Sequence, residues 1–338
     1  MIDTLLAETA ERLFTDHVTP KILAAAENGA WPEAAWNAVT EAGLHLGLVP
    51  EAAGGFGAPI PEALDLLRIA GKHALPLPLA ETMLAAWLLA GAGLAIPEGP
   101  LTVVAAPTLA LRQDGTNWHM SGNAVAIPWA RSATAIVVLS DGYVALATEF
   151  RVAEGQNIAR EPRDSLAFDC TPAAVAATGV TARQLRAIGA AMRTLQIAGA
   201  LERITAMTVQ YAQDRTQFGR PIGRFQAVQH NLAILASQTA AALAAGSMAA
   251  EAVAEGICLP TIAAAKARAG EAAGLGAAIA HQIHGALGFT YEHRLQYFTK
   301  RLWAWRDEFG GETEWNLLLG NHLVQAGPEG LWPALTVI

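Results

Sequence analysis

The stretch "RTQFGRPIGRFQAVQHNLA", residues 215–233, places a guanidinium, aromatic rings and side-chain amides within about one helical turn of a Phe-Gly-Arg-Pro break. A forked cation beside free backbone donors suits a pyrophosphate. Phe218 and Phe225 could flank a flat ring, and Gln217 and Gln226 could hydrogen-bond a base or an amide edge. The same residues also fit an ordinary corner between two helices, with Arg215 bonded to the last carbonyls. Residue chemistry alone leaves both readings open.

A second candidate is "HQIHGALGFTYEHRLQYF" (281–298), where Gln282, Gly285 and Gly288 mark a break after an alanine-rich helix. Glycine there lets backbone approach a ligand closely. His281, His284 and His293 invite a metal, yet no HExxH spacing and no cysteine partner accompanies them. Capping or hydrogen-bonded histidines are the expectation, with no metal. A third is "KRLWAWRDEFGGETEWN" (300–316), in which Asp307, Glu308, Glu312 and Glu314 crowd among tryptophans. A carboxylate in aromatic surroundings can act as a base; a solvated acidic face is the competing reading. GxSxG, P-loop and dinucleotide fingerprints are absent, which leaves serine hydrolases, P-loop NTPases and Rossmann enzymes without support.

These residues need elements to hold them. The 338 residues are 53% hydrophobic and only 15% charged, with positive mean hydropathy. That suffices for a large core in two or three units and predicts further burial in an oligomer. A net charge of −8 without basic runs argues against nucleic acid. Cys170 and Cys258, far apart, fit a reducing compartment. The N-terminus "MIDTLLAETAERLF" reads as an amphipathic helix rather than a signal peptide. "MLAAWLLAGAGLAI" (83–96) is too short to span a bilayer, so a cytoplasmic protein is expected.

Along the chain, 1–98 reads as helical, with stripes such as Trp36, Val39, Leu44 and Leu48. Residues 99–178 read as a short middle β-domain, with β-type runs punctuated by "QDG", "SGN" and "SDG" turns. From 179 to 338 the pattern is helical again. Two apolar stripes in 181–214 predict burial on both sides, and alanine-rich runs predict close helix contact.

This order and three motifs resemble the acyl-CoA dehydrogenase flavoprotein family. "RTQFGRPIGRFQAVQHNLA" is similar to its R-x-x-F-G…F-Q-x-x-Q-H signature, "QIHGALGFTYEH" to Q-x-x-G-G-x-G-F…E, and "AWNAVTEAGLHLGLVPEAAGGFGAP" to an N-domain pattern. The resemblance implies a mostly α fold: an N-terminal helical domain, a small middle β-barrel or sheet domain and a C-terminal four-helix bundle. It implies that Arg215 grips the FAD pyrophosphate, with Gln217, Phe218, Phe225 and Gln226 along the same channel. Gln282, His284, Gly285 and Ala286 would meet the cofactor across a subunit interface. The implied reaction is α,β-desaturation of an acyl-CoA thioester, with electrons passing to an electron-transfer flavoprotein.

Two departures stand out. Gap-free alignment puts Phe309 at the position of the family's catalytic Glu, with Glu308 one residue early, and the alternative base position holds Gly189. The middle domain lacks a T-E-P-x-x-G-S-D-like loop, and Ile127, Pro128 and Trp129 stand in place of W-I-T. Both suit the shorter subunit of a heteromeric enzyme, of the kind acting on bulky steroid side-chain CoA esters. The alternatives are a self-sufficient homo-oligomer using Glu308 as base, or a flavin-free accessory subunit. Nitroalkane oxidation or monooxygenation on this fold ranks below these.

Overall fold

The computed structural model describes residues 4–290 and 292–336. In chain order it holds α1 (Thr4–His17), α2 (Pro20–Glu27), α3 (Glu33–Glu41), α4 (Ile60–His73) and α5 (Leu79–Gly91). Strands β1 (Leu101–Val104), β2 (Leu109–Asp114), β3 (Asn117–Pro128), β4 (Ala135–Ser140), β5 (Tyr143–Ala147), β6 (Arg151–Ala153), β7 (Arg163–Cys170) and β8 (Ala174–Ala177) follow. Then come α6 (Ala182–Asp214), the two-residue strands β9 (Thr216–Gln217) and β10 (Arg220–Pro221), α7 (Gln226–Ala254), α8 (Leu259–His284), α9 (Leu295–Asp307) and α10 (Glu312–Thr336), the last broken at Gly327. Helical, β, helical is thus the order the sequence predicts; the first three residues of the N-terminal stretch lie outside the described residues.

The chain divides into two compact units. The first comprises Met1–Leu23, Ile60–Leu75 and Ala190–Ile338. Its core is close helix packing. Alanines such as Ala242, Ala245 and Ala249 on α7, and Ala269, Ala273 and Ala277 on α8, are buried. Small side chains let backbones approach, so the loss of bulky apolar area is offset by dense van der Waals contact. The α4–α6 crossing goes further: a Cβ at Gly71 would overlap the Gln196 carbonyl, and one at Gly199 the Arg68 carbonyl. Both apolar stripes of α6 are buried, from Leu185 and Ile188 to Leu201 and Ile204. α7 is the one described helix long and apolar enough to cross a membrane by length and composition, with 33% of that window buried.

The second unit comprises Ala24–Pro59 and Pro76–Gly189. Two four-stranded sheets, ordered β1-β4-β5-β8 and β2-β3-β7-β6, enclose a shared core that includes Met120, Ile136, Val138, Leu166 and Phe168. Only the β1–β4 pairing is parallel among the named strands of these sheets. Two expectations change here. "SGN" is not a turn: Ser121, Gly122 and Asn123 lie inside β3, where a Cβ at Gly122 would overlap the Thr108 carbonyl. The stripe through Trp36, Val39, Leu44 and Leu48 is buried but not one helix, because α3 ends and Gly43 turns the chain at φ 66°. As expected, the apolar 83–96 stretch enters a buried helix too short to span a bilayer: its residues 83–91 complete α5.

Candidate functional site

α6 ends at Asp214, and the Arg215 N–H still bonds back to the Tyr211 carbonyl at 2.9 Å. The chain then reverses in a two-residue hairpin, with Gln217 opposite Arg220 and Thr216 opposite Pro221. Its central residues, Phe218 at φ 52° and Gly219 at φ 78°, are both left-handed. This matches a type I′ turn, whose twist suits antiparallel strands. The Ile222 N–H closes the corner onto the Arg215 carbonyl at 2.8 Å. Phe225, extended at φ −90° and ψ 133°, leads into α7, which starts without a side-chain cap. The Val228 and Gln229 N–H groups both donate to the Phe225 carbonyl at 3.0 Å, which leaves those of Gln226 and Ala227 open at the positive end of the helix dipole.

The side chains on this corner are displayed rather than packed. Arg215, Gln217 and Gln226 are exposed, and Phe218 is 93% exposed. Among the described residues the Arg215 guanidinium makes no hydrogen bond or ion pair, so it does not cap the carbonyls that end α6. Phe218 and Phe225 meet edge to face with centroids 6.2 Å apart. The Arg220 guanidinium covers Phe225 at 4.2 Å. The two rings thus form one aromatic ledge rather than two walls of a slot.

The end of α8 lies against the same stretch of α6. Tyr211, one turn before Arg215, stacks on His284 with centroids 4.4 Å apart. Its hydroxyl donates to the His284 carbonyl at 3.4 Å. His284 is only 3% exposed, its Nδ1–H donating to the Ala280 carbonyl at 2.8 Å. Desolvation pulls its pKa down to about 4, so the ring is neutral. Gln282, Gly285 and Ala286 are exposed around it, and Gly285 adopts φ 61°, ψ −145°, a conformation that needs glycine. His281 is sandwiched between Phe289 at 4.0 Å and Trp303 at 5.7 Å. Its Nε2 pairs with the Thr299 hydroxyl at 2.9 Å. Among the described residues no group of three or more His, Cys, Asp or Glu could hold a metal.

Glu308 has a different setting. It closes the C-terminal end of α9, and its carboxylate accepts from Arg193 Nε at 2.7 Å. Those side chains are 17% and 2% exposed respectively. Arg193 also donates to Gln196 at 2.5 Å and lies over the Phe309 ring at 5.6 Å. Lys266, buried, donates to the Trp305 and Arg306 carbonyls at 3.2 and 2.5 Å, and desolvation lowers its pKa to about 8. Arg306 pairs with Glu312. Phe309 takes φ 56°, and its carbonyl accepts the Trp315 indole N–H at 3.1 Å. Gly189, inside α6, carries no side chain for chemistry.

Family models for the N-terminal and C-terminal domains of acyl-CoA dehydrogenase match residues 3–94 and 180–317. Acyl-CoA dehydrogenase IpdE2 of Mycolicibacterium smegmatis is 30% identical over 315 residues, 88% of this chain and 91% of that protein. The chain belongs to the acyl-CoA dehydrogenase family. IpdE2 of Mycobacterium tuberculosis is 29% identical over 88% of this chain and 89% of its own length. Among solved structures, a variant of the Tcur3481-Tcur3483 steroid ACAD matches with TM-score 0.87 and 26% identity, covering 96% of this chain and 98% of that one. The ChsE4-ChsE5 complex from Mycobacterium tuberculosis has the same fold, with TM-score 0.84 and 22% identity over 95% and 96% of the two chains.

An acyl-CoA dehydrogenase is a flavoprotein oxidoreductase, and the corner fits the diphosphate end of a flavin dinucleotide. Its unengaged Arg215 guanidinium, open α7 amides and exposed Gln217 and Gln226 are donors of the needed kind. Residue types did not reveal Tyr211, Arg220 or Arg193. Tyr211 reads as one more member of an apolar stripe. Arg193, a lone charge inside "AIGAAMRTLQIAGA", was a legible sign of a buried ion pair.

Proposed function

We propose that this chain is an FAD-binding subunit of an oligomeric acyl-CoA dehydrogenase that desaturates an acyl-CoA thioester, with the catalytic base supplied by an unlike partner subunit. One contrast carries the reading: Arg215 is exposed without a protein partner, while Glu308 is held by a buried guanidinium. Arg215 and the α7 amides would bind the diphosphate, and Gln217, Gln226 and Gln282 would orient the nucleotide around it, with Phe218 as an apolar ledge. FAD, when bound, supplies the hydride acceptor. A carboxylate so paired is a poor proton acceptor, since taking a proton would give up its charge-assisted bond to the buried Arg193. The similar steroid ACAD points to a bulky CoA ester as substrate, and an electron-transfer flavoprotein is the expected oxidant of the reduced enzyme.

The test is to purify the chain alone and with its candidate partner, and to record the flavin spectrum during acyl-CoA addition. Bleaching by substrate is expected only in the mixed complex, and Glu308→Gln in this chain should leave its rate unchanged. Stoichiometric flavin with turnover in the lone chain, abolished by Glu308→Gln, would establish the self-sufficient enzyme instead. A mixed complex that turns over with no flavin contact to this chain would make it an accessory subunit.

A further inference from the structure

The second unit contains a cavity of about 300 Å³, at the small end of the range for ligand pockets. Three segments wall it: the turn ending α2, the residues just after β3, and the loop between β6 and β7. They contribute Trp31, then Trp129 and Ser132, then Gln156 and Arg160. None of these belongs to the corner around Arg215.

Each wall is fixed by contacts of its own. At the end of α2 the Gly29 N–H donates to the Ala26 carbonyl at 2.9 Å, and the Ala30 N–H to the Ala25 carbonyl at 3.0 Å. With Gly29 at φ 87° this closure is a Schellman motif, and it delivers Trp31 to the cavity. Trp31 leans in turn on Trp36, their centroids 5.8 Å apart. After β3 the Trp129 N–H donates to the Pro162 carbonyl at 3.1 Å, and the Arg131 side chain fastens to Asp164 and Glu154. In the third segment the Asn157 side-chain oxygen accepts from the Ala159 and Glu161 N–H groups at 2.9 and 3.0 Å.

The groups on these walls are less complete than the frame behind them. Trp129 is 8% exposed, yet its indole N–H makes no hydrogen bond among the described residues. A buried indole usually has a partner. The Arg160 guanidinium makes no hydrogen bond or ion pair among them either. Nearby carboxylates are engaged: Glu154 and Asp164 by Arg131, and Glu161 by Arg163 at 3.1 Å. Glu27, which also lines the cavity, is 7% exposed and has its own contacts within the fold. The charge left over is therefore positive. Trp129 and Arg160 also hold positive φ, 56° and 60°, which residues other than glycine rarely adopt. Strain of this kind gathers at ligand clamps.

We propose that this cavity binds a small aromatic carboxylate, its ring packed on Trp31 and its carboxylate held by Arg160 and the Trp129 indole N–H. As a sphere, 300 Å³ is about 8 Å across, so one ring with its carboxylate reaches from wall to wall. An indole face favours a flat π-system, and a guanidinium meets a carboxylate through two parallel N–H donors. Ser132 and Gln156, whose side chains make no hydrogen bond among the described residues, can meet a polar ring substituent.

Calorimetric titration of the full chain with phenylacetate, phenylacetamide and phenethylamine tests it, since the three share a ring and differ in charge. Phenylacetate should bind, the neutral amide about tenfold more weakly, and the ammonium not at all. Arg160→Gln, at an exposed position, should weaken phenylacetate about tenfold and remove its advantage over the amide. Trp129→Phe keeps a ring but loses the N–H, and should weaken it about threefold to tenfold. Arg215→Gln should bind as wild type does, which separates this cavity from the flavin corner. No binding of phenylacetate at millimolar concentration, equal binding of acid and amide, or tighter binding of phenethylamine overturns the proposal. Those three outcomes are read on the wild-type chain and need no variant to fold. Phenylacetate affinity unmoved by both Arg160→Gln and Trp129→Phe would equally overturn it.

Discussion

The hairpin after α6 and the turn after α9 are built from similar materials and end in opposite states. Each has a residue other than glycine at positive φ, Phe218 in one and Phe309 in the other, followed by glycine. Each gathers arginine and aromatic rings. At the α9 turn the charges facing the fold are answered from within: Glu308 by Arg193, Glu312 by Arg306, and the helix-end carbonyls by Lys266. At the hairpin Arg215 faces solvent with nothing from the chain to meet it. Polar groups closed on one another make a rigid joint, whereas polar groups held open on a rigid frame make a binding surface. On the proposed reading, the difference separates a joint that serves the fold from a surface that serves a ligand.

The most severe way to break the contrast is Arg193→Ala. Removing one partner of a buried ion pair takes the Arg193 guanidinium away from Glu308, at a cost of about 3–5 kcal/mol. Urea denaturation should show the midpoint falling accordingly. A loss no larger than that of a surface mutation would mean that the α9 turn is not the closed joint described here.

Acid should expose the support beneath the open corner. The folded pKa of His284, about 4, lies below its unfolded value near 6.5. The unfolded state therefore binds the proton more readily as pH falls through that window. Stability from this group is intact above about pH 6.5 and is lost progressively toward pH 4, by up to about 3 kcal/mol. Comparing urea midpoints of wild type and His284→Gln at neutral and acid pH isolates the effect. Equal acid sensitivity in both would show that the buried ring does not titrate this way.

Arg215→Gln sharpens the contrast from the other side. Losing a charge-assisted contact worth about 1.5–3 kcal/mol should weaken flavin affinity roughly tenfold to a hundredfold. The flavin-free chain should unfold within about 0.5 kcal/mol of wild type. Flavin titration by fluorescence quenching, alongside denaturation, reads both.

The sequence made much of this visible, and for local reasons. Helical periodicity marked both faces of α6, and the alanine-rich runs announced α7 and α8, because those signals repeat within a few residues. What it hid was non-local. Glu308 and Arg193 are 115 positions apart, so the carboxylate looked free when read beside its own tryptophans. β7 escaped notice because its run "RDSLAFDC" opens on two charged residues. Asp164 is nonetheless fully buried, accepting from the Arg131 backbone N–H at 2.8 Å and side chain at 2.5 Å, and from the Gly155 N–H at 3.0 Å. Gly122 looked like a turn because glycine serves equally for turning and for close strand approach. The Arg215 motif itself was legible by type, but its openness was a matter of what the fold left unpaired.

Phe218 offers the smallest and most discriminating test. A bulky residue in the left-handed region is disfavoured by about 1–2 kcal/mol, and glycine there is not. If the hairpin served only to turn the chain, Phe218→Gly would be a plain improvement, stabilising the protein by about 1 kcal/mol and altering nothing else. With its ring 93% exposed, the side chain gives the fold little besides its edge contact with Phe225. Retaining a strained aromatic for so little packing makes sense where the ring covers a ligand. The expected outcome is therefore a split: a slightly higher melting temperature for the flavin-free variant and a several-fold loss of flavin affinity. Raised stability with unchanged flavin binding would reduce the ledge to an accident of the turn and leave Arg215 and the α7 amides to hold the nucleotide without it.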